Sequence, residues 1–155
     1  MVTYGGDVSR GHYLFGQLAF VRKGTLKLLD GVTEDNADRI PDGFRNTIRW
    51  QYGHIYVVQE RFAFQYIGLP QQLPAGFKER YEYGTSPLTT TATDAVPTLQ
   101  ELEWMLNEQQ ERIYEALANR LQEKLVPYTT STGITLSTPE QFLSLSLYHE
   151  GLQHD

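Results

Sequence analysis

Leu99, Leu102, Leu106, Ile113, Leu117, Leu121 and Leu125 fall on one face of a single helix, because residues three, four and seven apart share a face at 3.6 residues per turn. Charged and amide side chains fill most of the positions between them. Thr98-Leu99-Gln100-Glu101 heads this stripe as a capping box, in which a hydroxyl and a carboxylate satisfy two backbone N–H groups reciprocally. The pattern predicts a helix over residues 98–125, on the order of 40 Å long at 1.5 Å per residue. A helix with one apolar face is stable only when other elements cover that face.

Three further segments supply the cover. Residues 9–29 place Tyr13, Leu14, Leu18, Val21, Leu28 and Leu29 mostly at helical steps, and Asp30-Gly31 ends the pattern. Residues 47–68 carry Ile48, Trp50, Tyr52, Ile55, Tyr56, Val57, Val58, Phe62, Phe64, Tyr66 and Ile67 round most of the circumference. A helix apolar nearly all round sits deep in a bundle. Its β-branched and aromatic residues also suit a strand, but the segment is far longer than a typical strand of about 5–6 residues. Gly68 and then Pro70 close it. In the last segment Thr138 is the expected N-cap and Pro139 the first helical residue. Phe142, Leu145, His149 and Leu152 then follow on one stripe that runs to the end of the chain. A truncated helix and a frayed last turn both fit that ending.

The connection over residues 69–97 holds Pro70, Pro74, Pro87 and Pro97 and a threonine-rich tract. Long loops of this kind in small domains are functional or disordered, and a short helical turn is expected near residues 77–81. Residues 126–137 suit a short hairpin or a plain loop. No internal repeat is present. The expectation is an all-α fold: one domain over residues 1–155, a four-helix bundle with a long loop between its second and third helices.

Composition excludes several functions. The chain has no cysteine, which removes disulfides, thiolate metal sites and a cysteine nucleophile, and fits a cytoplasmic location. The most apolar stretch, residues 55–69, is interrupted by Gln59, Glu60, Arg61 and Gln65, so no transmembrane helix is expected. No signal peptide is evident at the start. A net charge of −6 with scattered lysines and arginines argues against nucleic acid as a partner. Arg22, Lys23 and Lys27 are the densest basic group and read as a solvated helix face. There is no phosphate-binding glycine loop and no Gly-x-Ser-x-Gly elbow.

The residues with chemistry to offer are the histidines: His12, His54, His149 and His154. His54 lies in the middle of the most buried helix and His149 on the apolar stripe of the last one. Two imidazoles on two core helices are candidate ligands for zinc, nickel or iron, or hydrogen-bonded core residues. The position one turn after His149 belongs to Gln153, a poor transition-metal ligand. His154 is five residues on, roughly 140° round the helix, and would need a π-bulge or a frayed end to join. Glu150 reads as outer face. Trp50, one turn before His54, is a candidate to pack over the site. Tyr52 and Tyr56 flank the His54 face as pocket hydroxyls or as core tyrosines. Glu60 and Arg61 form a charge pair, in a pocket or on a solvated face, and His12 reads as an exposed helix start.

Three stretches carry a resemblance. Asn46-Thr47-Ile48-Arg49-Trp50-Gln51-Tyr52-Gly53-His54-Ile55 resembles the second-helix signature of the DinB-like (YfiT-like) superfamily. Phe77-Lys78-Glu79-Arg80-Tyr81-Glu82-Tyr83-Gly84-Thr85-Ser86-Pro87 resembles the loop that follows it in one branch, and Tyr148-His149-Glu150-Gly151-Leu152 its fourth-helix motif. The resemblance implies a bundle with a three-histidine divalent metal site. By position His54 and His149 are the first two ligands, while Gln153 stands where the third histidine belongs, so the site is degenerate; a one-residue shift would bring in His154 instead.

Characterised proteins of that superfamily include S-transferases that use a low-molecular-weight thiol cosubstrate. The resemblance therefore implies a metal-dependent S-transferase or hydrolase. Two other expectations stand beside it. One is a metal-free, non-catalytic bundle that binds a small molecule or a protein partner, with Gln153 hydrogen-bonded to His54 or His149. The other is a homodimer that works through its interface.

Overall fold

The computed structural model describes residues 12–40, 46–88, 90 and 93–153. The elements run α1 (Tyr13–Lys27), α2 (Ile48–Glu60, continued by a π-helical turn over Arg61–Gln65), α3 (Phe77–Tyr81), α4 (Leu99–Leu117), β1 (Tyr128–Thr129), β2 (Thr135–Leu136) and α5 (Pro139–Leu152). The four long helices α1, α2, α4 and α5 make the expected all-α bundle, and α3 lies in the long α2–α4 connection against α2. The strands form a two-residue antiparallel hairpin, pairing Tyr128 with Leu136 and Thr129 with Thr135. Among the described residues no helix is long and apolar enough to cross a membrane.

Side-chain caps set the helix starts. The hydroxyls of Thr47, Thr98 and Thr138 accept from the backbone N–H groups of Trp50, Glu101 and Gln141. Glu101 accepts the Thr98 N–H in return at 2.8 Å, completing the capping box. Each such cap contributes about 1 kcal/mol. His12 Nδ1 caps α1 by accepting from Leu14 N–H, and its Nε2 lies 2.7 Å from Glu140 at the head of α5. It is thus a tie between two helix starts rather than an exposed end.

Two helices are shorter than their apolar patterns. The leucine stripe runs to Leu125, but α4 ends at Leu117, after 19 residues and about 28 Å. Leu121 is still buried, in a turn whose carbonyl accepts from Glu140 N–H. Leu125 N–H donates to Ser137 beside the hairpin. Periodic burial persisted because the turn returns Leu121 to the same core. In α1 the buried face is Leu14, Phe15, Leu18, Ala19, Arg22 and Thr25. Tyr13 is exposed, and Leu28 and Leu29 lie in the turn beyond the helix. The start expected at residues 9–11 lies outside the described residues.

The core is partly ionic, which overturns the expectations for Arg22 and Glu150 and removes the solvated reading of Glu60. Arg22 is wholly buried instead of solvated: Nε and Nη2 donate to the two carboxylate oxygens of Glu150 at 2.8 and 3.0 Å, and Nη1 to Leu106 C=O at 2.6 Å. Glu150 is correspondingly buried rather than outward, and also accepts from Thr25 Oγ1 at 2.6 Å. The buried line of α5 is therefore Phe142, Leu143, Ser146 and Glu150. Glu60 is buried as well, accepting from Gln109, Arg112 and the Gln72 N–H at 2.7–2.8 Å. Arg61 does not share that environment, because adjacent residues leave a helix about 100° apart.

Candidate functional site

α2 is the central helix of the site. Gly53 lets it lie close to α3: a Cβ at Gly53 would stand 2.6 Å from the Tyr81 ring. That approach brings the Tyr81 carbonyl within 2.5 Å of His54 Nδ1. A carbonyl only accepts, so Nδ1 carries the proton and Nε2 is left as the acceptor nitrogen of a neutral ring. Trp50, one turn earlier, stacks on the His54 ring with centroids 4.6 Å apart and planes at 14°. The indole is held by its own N–H, which donates to Arg80 C=O at 2.8 Å.

α5 supplies the second imidazole. His149 and His54 have ring centroids 5.2 Å apart, and Tyr83 meets both edge-on, at 5.0 Å from His54 and 5.6 Å from His149. His149 is placed by its neighbour, since Glu150 is locked into the core by Arg22. Burial pushes the His149 pKa down to about 4, reinforced by the adjacent His54. Burial also lowers His54, against the upward pull of the Tyr81 hydrogen bond, and the Arg61 charge lowers it further. Both rings are neutral at pH 7, the form that binds a metal ion. His149 Nε2 is buried and has no hydrogen-bond partner.

A cavity of about 400 Å³ opens beside His149. The π-helical turn of α2, the last turns of α5 and the hairpin wall it, through Arg61, Tyr66, Tyr128, Thr130–Thr132, Tyr148 and Leu152 among others. Tyr66 and Tyr128 stack at 4.3 Å and fasten the hairpin to α2. His54 sits one layer deeper, against His149 and Tyr83. Larger cavities of about 540 and 660 Å³ lie beside Arg49 and Arg80 and beside Tyr56 and Trp104, but no histidine lines either.

The structure thus brings together three of the sequence-derived candidates, His54, His149 and Trp50. Tyr52 goes elsewhere: its hydroxyl donates to Thr25 C=O in the α1 interface, and it is a core tyrosine raised in pKa by burial. Gln153 caps the end of α5, and the unpartnered His149 Nε2 shows that it does not bond that nitrogen. His154 lies outside the described residues. Of two further lining residues, Arg61 stood open between a pocket and a solvated face, and Tyr83 was not foreseen. Arg61 follows His54 by seven positions, which puts both on one helix face; its pairing in sequence with Glu60 hid this. Tyr83 was visible only as part of the loop resemblance.

Two imidazoles on one tetrahedral ion, with metal–nitrogen bonds of about 2.0–2.1 Å, stand with centroids roughly 5 Å apart. The 5.2 Å spacing, the orphaned Nε2 and the carbonyl-fixed tautomer of His54 all fit that arrangement. Among the described residues no group of three or more His, Cys, Asp or Glu side chains gathers here. The fit is to an ion held by two protein ligands with its other positions open.

Fold and site together define a class: a helical bundle whose second and last long helices bring two neutral histidines together, His149 lining a cavity and His54 packed behind it. The chain belongs to the DinB superfamily, whose family model matches residues 17–154. No curated protein matches the sequence.

Proposed function

We propose that the protein is a divalent-metal-dependent enzyme acting on a small molecule, as a thiol-dependent S-transferase or a hydrolase, with His54 and His149 holding the metal. The observation that carries this reading is the buried, unpartnered His149 Nε2 beside His54. A buried polar atom without a partner costs about 1–3 kcal/mol, and a cation would offset that cost. A divalent ion bound here supplies a Lewis acid that lowers the pKa of a thiol or water on an open position.

The chain's own groups do the rest. Tyr81 C=O holds the His54 tautomer, and Trp50 fixes the ring plane. Tyr83 packs edge-on against both imidazoles, and Tyr66, Tyr128 and Tyr148 give the cavity an aromatic wall. With no cysteine in the chain, a transferred thiol would come from a cosubstrate.

Elemental analysis of protein purified without a histidine tag tests the reading. About one equivalent of zinc, nickel or iron is expected, lost in both His54→Ala and His149→Ala. No metal after soaking in excess would overturn it. Gln153, standing where the resemblance places a third histidine, favours a second reading, a metal-free bundle that binds a small molecule. A melting temperature indifferent to both chelator and added metal would support that alternative, and a metal-induced rise would end it.

A further inference from the structure

Four of the described arginines are largely withdrawn from water and face a carboxylate, but not equally closely. Arg22, Arg49 and Arg112 each have a carboxylate oxygen within 2.8 Å, from Glu150, Glu34 and Glu60 respectively. Arg61 is also largely withdrawn from water, its side chain 20% exposed, yet its carboxylate partner, Glu82, stands at 3.9 Å. Carboxylate–guanidinium pairs that bond well close to about 2.7–2.9 Å. Arg61 therefore keeps hydrogen-bonding capacity in hand, at a place where a guanidinium has lost much of its water.

Its position gives that capacity a use. Arg61 is the one ion among the described residues lining the His149 cavity. The other walls are tyrosines, leucines and the hydroxyls of Thr130, Ser131 and Thr132. A largely apolar pocket with one fixed charge is the usual form of a small-molecule site, in which the charge orients the ligand. The π-helical turn that begins at Arg61 is a local departure of the kind that recurs at functional sites. The fork of a guanidinium matches a carboxylate in geometry better than any neutral group.

We propose that Arg61 is the anion-binding and specificity-determining residue of this cavity, which takes a small molecule with a carboxylate on an apolar or aromatic body. The carboxylate displaces Glu82 at Arg61. The apolar body lies along Tyr66, Tyr83 and Tyr148, towards His149. This deepens the proposed function by naming its substrate class, and rests on that reading for the link to catalysis. The binding itself requires no metal.

The test uses the full-length, metal-free, ¹⁵N-labelled chain, titrated with phenylacetate and with its neutral isostere phenylacetamide. Phenylacetate is expected to shift the amide signals of Tyr83, His149 and Thr130–Thr132 and to bind at least about tenfold more tightly than the amide. Arg61→Gln should abolish that preference and Arg61→Lys retain part of it, while Glu82→Gln should tighten phenylacetate several-fold. Metal content of Arg61→Gln should match that of the parent. Equal affinity for the two probes, no shift at those amides, or a preference that survives Arg61→Gln would each overturn the proposal. If Arg61→Gln does not fold, Glu82→Gln decides: unchanged phenylacetate affinity there counts against it. A chain that takes up no metal but discriminates the probes would fail the metal reading and keep this one. A chain that binds metal at the histidines but does not discriminate would do the reverse.

Discussion

Arg22 on α1 grips both carboxylate oxygens of Glu150 on α5, at 2.8 and 3.0 Å, with both side chains out of contact with solvent. The pair fastens the helix that carries His149 to α1, its neighbour in the bundle. Thr25 adds a hydroxyl to the same carboxylate, and Tyr52 bonds the Thr25 carbonyl. His149 thus owes its position to a network on the far side of its own helix.

Breaking one half of that pair leaves a buried, unmatched charge. Glu150→Gln is expected to destabilise the chain by about 3–5 kcal/mol. Arg22→Met combined with Glu150→Leu should recover most of the loss, since apolar replacement of both partners removes the desolvation cost along with the attraction. Urea unfolding of the two variants measures this; equal destabilisation by both would show that removing the desolvation cost does not make up for the lost pair.

Acid should loosen the fold through the histidines. His149, and His54 with it, have folded pKa values depressed below the ordinary 6.5, to about 4 for His149. Between those values the unfolded chain binds more protons than the folded one, so stability is complete above pH 6.5 and falls as pH drops towards 4. The slope is at most about 1.4 kcal/mol per pH unit for each histidine. His149→Gln should flatten the profile over that window in metal-free protein, as read by melting temperature from pH 7 to 4.5.

Gly53 is predicted to resist a change that ordinarily helps a helix. Alanine gains about 1 kcal/mol over glycine in a helix interior. Here its Cβ would meet the Tyr81 ring at 2.6 Å, and such overpacking costs about 1–3 kcal/mol. Gly53→Ala should therefore lower the melting temperature and, by moving α3, lengthen the bond from His54 to the Tyr81 carbonyl. A rise in melting temperature would contradict the close packing of α2 on α3.

The His54 tautomer can be read directly. Long-range ¹H–¹⁵N spectra of metal-free protein at pH 7 should show a protonated Nδ1 and an unprotonated Nε2. The reverse tautomer would contradict the hydrogen bond to Tyr81 C=O.

Much of this was open to a reader of the sequence. Apolar period located all four long helices, and the threonine caps at 98 and 138 marked two of their starts, because both depend on residues near one another in the chain. The same locality made His54 and His149 stand out as polar residues on core helices. The errors came where burial was not apolar. Glu150 and Arg22 read as surface, and Glu60 stayed open, because hydrophobic pattern assigns charge to water, and each is buried against a partner from another part of the chain. The α4 boundary was overrun because Leu121 keeps the helical spacing after the helix has ended.

The sequence by itself determined the four long helices, the buried stripe of α4, the family and three of the four rings gathered at the site, since propensity, capping and motif are written in local order. Only the tertiary structure decided that Tyr83 and Arg61 join His149, that Tyr52 turns away, and that His54 carries its proton on Nδ1. Those facts depend on which distant groups meet. An imidazole's tautomer and an arginine's spare capacity are set by the partner each finds in the fold, here Tyr81 at 2.5 Å and Glu82 at 3.9 Å.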